Sequence, residues 1–474
     1  YPYGEQLTDV SEGRSPAGMG AFAFYFEPTP GAPNGIPNNG PAAAVEASQV
    51  AGLYASGLTV ALNTTTPNAT IYYTTDGTIP TESSSVYSVP LTFTTTTNLR
   101  AVATAPAFSA SEPSTFSYLI DVSHTFPIIS FTSDPDDFFG QENGLFPNFT
   151  RDIETPIHVE MFEPNGNLAF SQVMEVEIQG TGSAVLPQKS LAMKAKGSLG
   201  SSTIDYPVFP SRGFTQYRSL VVRNSGQDYN LTHFRDAMAS SLVDDLSDVE
   251  GMIKMPNLTL QAYRPGIVYI NGAYWGMQNL RERMDKRYLK VHFDLDDDEI
   301  DFLDEQNDVR DGDTEAWDNL QQFLLNNSLS NAANFNTVAD QVDLDAYRDY
   351  LIFNVFVDNA DWPANNNRRW RERVPDGKWR WMVKDLDFSF GLFVAPGSFN
   401  TNDFTQNSLR RLLTISQSWP NVEWSTRLFR RLTENDQWRA DFLNRMADQL
   451  NIFYNSERVV NRIDEFRTRY FPER

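Results

Sequence analysis

Trp379-Arg380-Trp381-Met382-Val383-Lys384-Asp385-Leu386-Asp387-Phe388-Ser389-Phe390-Gly391 reads as a short strand, Trp379 to Val383, that runs into an acidic end. An extended chain puts residues i and i+2 on one side, so Asp385 and Asp387 are expected to face the same ion. Upstream, a strongly apolar helix runs into Asp358-Asn359-Ala360-Asp361-Trp362-Pro363-Ala364-Asn365-Asn366-Asn367, a dense polar segment. Hard cations such as Mg²⁺ take carboxylate and amide oxygens and leave positions for phosphate oxygens. Spacing alone leaves a second account open: a polar turn and an acidic strand end with no ion at all.

Outward from this pair the chain reads as a mixed region from Phe126 to the end. Strands are expected at His158–Phe162, Val173–Ile178 and Ser219–Val222, and the Asn271-Gly272 turn joins Gly266–Ile270 to Tyr274–Leu280 as a hairpin. Helical spacing links Phe234, Ala237, Met238, Ser241 and Leu242, and again Trp317, Leu320, Phe323 and Leu324. Asp343 is the expected N-cap of a long helix through Tyr347, Tyr350, Leu351 and Val355. Everything after Ser408 reads as helix. Sheet first and helices later make an α+β domain.

Two segments precede it. Residues 40–121 are rich in Thr, Ser, Val and Tyr, with alternation at Leu58, Val60 and Leu62 and at Leu99, Ala101 and Ala103. Asp76-Gly77 is read as a hairpin turn, and the whole segment as a small all-β sandwich. Residues 1–39 are rich in Gly, Pro and Ala and read as a linker.

Composition bounds the function. The chain has 474 residues, enough for two or three domains. Its net charge of −23 argues against a nucleic-acid polymer as partner, because such binding needs a basic surface. Apolar runs are short and broken by charges, so no transmembrane segment is expected. With no cysteine there is no thiolate metal site and no cysteine nucleophile. His124, His158, His233 and His292 are too scattered for a metal cluster or a Ser-His-Asp triad. Walker, Rossmann and zinc-protease patterns are absent.

The remaining chemistry sits in three places. Asp361, then Asn366, then Asp387 before Phe388 follow the order in which a protein kinase sets its base, metal amide and metal carboxylate. Gly180-Thr181-Gly182-Ser183, followed by Lys189 and Lys194, would let backbone N–H groups approach phosphates with a lysine nearby, but a lone Gly-x-Gly is a weak signal and a plain hairpin is the favoured reading. Glu282, after the Trp275-Gly276 strand, is either a lysine partner or a surface charge.

Together these stretches resemble the spore coat protein H (CotH) kinase family of secreted atypical bacterial kinases, from about Phe126 to Glu473. The motifs include Leu220-Val221-Val222-Arg223-Asn224-Ser225-Gly226-Gln227-Asp228, Phe234-Arg235-Asp236-Ala237 and Val268 to Gly276. Ile71-Tyr72-Tyr73-Thr74-Thr75-Asp76-Gly77-Thr78-Ile79-Pro80-Thr81, with Tyr87, Pro90-Leu91 and Leu99-Arg100-Ala101, is similar to the chitobiase/β-hexosaminidase C-terminal module. Asp9-Val10-Ser11, Gly13-Arg14, Pro16, Gly18 and Pro28 to Asn34 resemble the last strands of a lamin-tail-like sandwich.

The resemblance implies three parts: a linker or lamin-tail remnant over 1–39, a sandwich over 40–121 and an atypical-kinase-like α+β domain over 122–474. It implies Asp361 as the catalytic-loop aspartate; Asn366, Asp385 and Asp387 as metal ligands; and Gly180, Gly182, Ser183, Lys189, Lys194 and Glu282 as ATP-binding residues. Implied cofactors are ATP with Mg²⁺, or with Ca²⁺ or Mn²⁺. The implied partner is a protein with a Ser or Thr acceptor at a bacterial surface or outside the cell. Gln179 and Ala184 depart from the arginines common there. Two alternatives stay open: a nucleotide- or metal-binding pseudokinase, and an adhesive surface protein whose sandwich holds glycan.

Overall fold

The computed structural model describes residues 11–15, 18–25, 29–35, 37, 39–244, 246, 254–306, 308–395, 398–400, 407–416 and 419–473. Asp9, Val10, Pro16 and Pro28 of the lamin-tail resemblance lie outside them. The chain forms two compact units. One comprises Tyr1–Ile178, Met193–Tyr206 and Gly266–Gly276; the other comprises Gln179–Ala192, Pro207–Pro265 and Met277–Arg474.

In the first unit, Ser11–Ser15 and Ala21–Tyr25 pair as an antiparallel hairpin. The sandwich follows. Its main sheet runs Gly52–Tyr54, Ser114–Ile120, Thr97–Thr104, Thr70–Thr74 and Ser85–Val86. Val60, Leu62, Ile71, Phe93, Leu99, Ala101, Ala103 and Tyr118 form its core, so the alternating apolar residues do face inward. Tyr73 and Tyr87 pack against that core.

Two details differ from the sequence reading. Thr70–Thr74 pairs with Ser85–Val86, so Asp76-Gly77 does not close a two-residue hairpin. The Asp76 carboxylate instead takes the Thr78 amide at 3.0 Å and its hydroxyl at 2.6 Å, which turns the chain early. The second difference is that Thr97–Thr104, whose alternation at Leu99, Ala101 and Ala103 marks a half-buried strand, is buried on both faces. On the face away from the core, Asn98 donates to Ser130 Oγ at 3.3 Å and to Thr132 Oγ1. Ser117 Oγ lies 2.8 Å from Ser130 Oγ, and Ser117 N donates to Glu160 Oε2 at 2.9 Å. Buried polar groups need such partners. This seam explains why the compact unit continues past residue 121 into the strands Ile128–Thr132 and Thr155–Phe162.

Those strands belong to a closed barrel in the order Ile128–Thr132, Thr155–Phe162, Leu168–Gln179, Ser190–Lys194, Ser219–Arg223, Ala273–Glu282, Tyr263–Ile270. Asn271 and Gly272 both have positive φ, at 48° and 76°, as a tight hairpin turn with right-handed strand twist requires. In the second unit a four-stranded antiparallel sheet orders Asp308–Asp311, Ile300–Asp304, Arg368–Glu372 and Arg380–Met382. The Asp343 carboxylate accepts from Ala346 N at 3.0 Å and caps the helix Leu344–Phe356. Helices Ser408–Leu413, Glu423–Leu432, Asp436–Ile452 and Ser456–Tyr470 complete the α+β unit. Asp349, buried within the long helix, is held by Arg445 Nε at 2.9 Å and by the Asn257 amide at 2.8 Å. A buried charge needs that pairing.

Burial raises the Glu160 carboxyl from 4.5 to about 7. The folded protein therefore keeps a proton that the unfolded chain releases, and stability falls as pH rises between those values. Glu160→Gln should remove ~2–3 kcal/mol of the stability lost between pH 5 and pH 8. Urea melts of parent and variant at the two pH values measure it; identical pH dependence in both would refute the assignment.

Candidate active site

The acidic strand end is built by a chain that stops being extended. The strand closes at Met382, Val383 N donates to Thr259 O at 2.9 Å, and Asp385 adopts φ 56°. The i, i+2 argument thus fails for a backbone reason, because a left-handed residue breaks the pleat. Asp385 and Asp387 nonetheless meet, since one guanidinium gathers them. Arg223 Nη2 donates to Asp385 Oδ1 and, at 3.2 Å, to Asp387 Oδ2. Asp387 Oδ2 also accepts from Gln227 N at 2.9 Å.

Arg223 ends the strand Ser219–Arg223, and the chain then turns through Ser225 and Gly226, both at positive φ. A Cβ at position 226 would overlap Asp387 Oδ2, so glycine is required for the carboxylate to sit there. Arg223 Nε lies 3.6 Å from Asp236 Oδ2, which Arg281 Nη1 binds at 2.8 Å. Burial, reinforced by the Asp385 charge, pushes the Asp387 carboxyl well above the usual range. Burial also works against the charge on Asp385, but Arg223 outweighs it and holds that carboxyl low.

The polar segment reaches the same place from the end of the long helix. Trp362 Nε1 donates to Tyr350 Oη at 2.7 Å, and Ala360 N donates to Phe388 O at 2.9 Å. Asn366, at φ 57°, donates through Nδ2 to Asp361 Oδ2 at 3.2 Å and to the Asp385 carbonyl at 3.4 Å. Asp361 Oδ1 accepts from Asn365 Nδ2 at 2.7 Å and Trp419 Nε1 at 3.0 Å. Burial, and then Asp385, raise the Asp361 carboxyl above its ordinary value. Arg368 is turned to Asp304 and Arg369 to the Glu305 and Gln306 carbonyls, so neither holds Asp361. Asp361, Asn366, Asp385 and Asp387 therefore stand in one hydrogen-bonded chain.

The glycine turn comes near through Gln227: a Cβ on Gly182 would lie 3.5 Å from Gln227 Nε2. Asn224 ties the two loops, accepting from Gly226 N at 3.0 Å while donating to Gln188 O at 2.7 Å. Gly180 has φ 104°, with Ser183 opening a short 3₁₀ turn.

The charged residues expected at phosphates have other partners here. Lys189 is buried and donates to Ala184 O at 2.5 Å and Leu186 O at 3.1 Å, which holds the turn together. Lys194 belongs to the first unit and pairs with Glu154 and, at 2.7 Å, Glu177. Glu282 is buried and takes His292 Nε2 at 2.8 Å, Ala262 N at 2.7 Å and Arg212 Nε at 3.3 Å. Its bonds are to a histidine, an arginine and the backbone, where a lysine was one expectation. Glu305 Oε1 accepts from Asn366 N at 3.0 Å, and Arg223, Gln227, Glu305 and Trp419 are the neighbours of this chain that spacing did not single out.

Among the described residues, no three His, Cys, Asp or Glu side chains gather as a ready cation cage. The donors present are two carboxylates and the Asn366 amide, a hard-oxygen set of the size that suits Mg²⁺, which keeps positions for phosphates and water. Asn359 supplies a further sign. It is fully buried, its Nδ2 lies 3.5 Å from the Asp385 carbonyl, and its Oδ1 has no hydrogen-bond partner. A buried amide oxygen left without a donor suits a cation nearby. The residues fit a divalent ion.

The family model described as CotH kinase protein matches residues 176–472, which covers every one of these site residues. The chain belongs to the CotH kinase protein family. A second model, the chitobiase/beta-hexosaminidase C-terminal domain, matches residues 49–115 within the sandwich. No curated relative matches the chain. In this CotH family member two links of the carboxylate chain, Asn366 and Asp385, are themselves left-handed, as is Ser225 in the turn after Arg223, and strained backbone of this kind gathers at functional sites.

Gly226→Ala tests the packing directly. A side chain at φ 54° beside Asp387 should cost roughly 1–3 kcal/mol from the backbone alone, and the overlap adds to it. Urea denaturation measures it; a parental midpoint would contradict the geometry described.

Proposed function

We propose that the chain is a secreted or surface-displayed, metal-dependent atypical protein kinase that transfers the γ-phosphoryl group of ATP to Ser or Thr of a protein. The observation that carries this reading is the hydrogen-bonded chain from Asp361 through Asn366 to Asp385, with Asp387 joined to Asp385 by Arg223. Asp385, Asp387 and the Asn366 amide would hold Mg²⁺, or Ca²⁺ or Mn²⁺. Such an ion, when bound, neutralises phosphate charge and orients the phosphoryl group.

The protein's own part is positioning and proton handling. Asp361, fixed by Asn365, Asn366 and Trp419, accepts the proton of the incoming hydroxyl; its raised pKa suits that role. Backbone N–H groups of the Gly180–Ser183 turn approach the phosphates. Bound to Ala184 and Leu186, Lys189 shapes that turn, and Glu282 holds the barrel wall through Arg212 and His292. Secretion is proposed on the family and the accessory module. Among the described residues, no helix is long and apolar enough to cross a membrane.

A second reading, nucleotide binding without transfer, draws on one observation. Lys189 and Lys194 are both engaged by protein groups. Labelled ATP separates the two readings.

Asp361→Asn should lower the transfer rate by roughly 10²–10⁴, the range of a general base, and leave nucleotide affinity near the parental value. A variant with parental melting temperature and parental autophosphorylation would remove Asp361 from the reaction. Asp387→Ala should weaken Mg²⁺–ATP binding in a calorimetric titration, and equal affinity would take the carboxylate pair out of the site.

A further inference from the structure

We propose that Arg223 is a built-in counter-cation for the Asp385–Asp387 pair, which a divalent ion must displace in order to bind. The proposal rests on the metal reading above. It deepens that reading by naming the form in which the metal is taken up.

Three observations carry it. First, a single nitrogen, Nη2, contacts both carboxylates, through Asp385 Oδ1 and Asp387 Oδ2. An ion bridging the pair needs oxygens of the same two groups, so ion and guanidinium compete. Second, the grip on the pair is through that one nitrogen. Arginines that serve as fixed struts fill their forked donors bidentately. Here Nε is buried without a hydrogen-bond partner and lies 3.6 Å from Asp236 Oδ2. Asp236 is thus already an ion-pair partner behind the guanidinium, one that remains when Nη2 leaves the pair, and it stays held by Arg281 and by Leu386 N. Third, among the described residues the adjoining lysine does not take over the duty. Lys384 adjoins the pair in sequence but is bound to both oxygens of Asp304 at 2.9 Å.

The chemical consequence concerns the ligand. A bare divalent ion arriving at the pair leaves the guanidinium beside it, cation against cation. An ion that arrives on a polyphosphate brings anionic oxygens, which give the displaced guanidinium a partner. The site therefore discriminates in favour of metal–nucleotide complexes over free metal.

Calorimetric titration of Mn²⁺ alone, and of Mn²⁺–ATP, into parent, Arg223→Gln and Arg223→Lys chains tests this. Removing one positive charge at contact distance should tighten binding of Mn²⁺ alone by about tenfold or more in Arg223→Gln. Mn²⁺–ATP should bind that variant no more tightly than it binds the parent. Arg223→Lys keeps the charge and should stay near the parental affinity for Mn²⁺. Equal or weaker Mn²⁺ binding by Arg223→Gln would overturn the proposal. If Arg223→Gln does not fold, the parent alone still decides: labelling of Arg223 by phenylglyoxal, followed by peptide mass, should speed up severalfold on adding Mn²⁺. An unchanged or slower rate would overturn the displacement. Absence of any Mn²⁺–ATP uptake by the parent would instead remove the metal reading itself, and the counter-cation with it.

Discussion

Two carboxylates held within reach of one another away from water repel, and neither can be left without a compensating positive charge. Much of the second unit is arranged around that requirement. The strand Ser219–Arg223 ends where its last side chain meets Asp385 and Asp387, and the next turn is stripped of a side chain at Gly226 to let Asp387 lie against the backbone. Behind Arg223, Asp236 and Arg281 extend the alternation of charges into the protein. Each member of the series neutralises the one before it, so loss of any one leaves an unpaired charge in a poorly solvated place.

The same logic explains why the neighbouring cations are so firmly occupied. Asp304 collects Arg368 and Lys384, while Arg369 spends its donors on the carbonyls of Glu305, Asn367 and Gln306 and lies over the Trp317 ring at 4.0 Å. Of the nearby basic side chains, Arg368, Lys384 and Arg369 are thus turned away from the acidic loop, and Arg223 meets the carboxylate pair. Hydrogen-bond donors of neutral type, from Asn365, Asn366 and Trp419, fix the Asp361 carboxylate without cancelling it.

Local chemistry was what the sequence made legible. Asn271-Gly272 specifies its own hairpin because both residues tolerate positive φ, and Asp343 announces a helix because its carboxylate bonds an amide one turn away. The polar run after the long helix was legible as a cluster for the same reason: its oxygens and amides are close in sequence. Arg223 was not, since it closes the apolar run Leu220-Val221-Val222 and its partners lie 162 and 164 residues along the chain. Asp76-Gly77 misled because a carboxylate bonded to Thr78 can turn a chain without joining two strands. For Glu282 the sequence left open a lysine partner or surface exposure; its actual burial with Arg212, His292 and Ala262 depends on elements far apart in the sequence.

One feature of the first unit bears on how such chains are assembled by recombination. Ser133 N donates to Asn271 Oδ1 at 3.0 Å, and the Gly77 turn lies so close that any side chain there would strike the Ser133 carbonyl and Asn271. Arg100 reaches the Gly77 carbonyl at 2.8 Å from the adjoining strand. The sandwich thus meets a barrel hairpin tip at a glycine with no room for a side chain, and does not hang from it as a pendant on a tether. A sandwich transplanted from another chain would need an equally bare position at this turn.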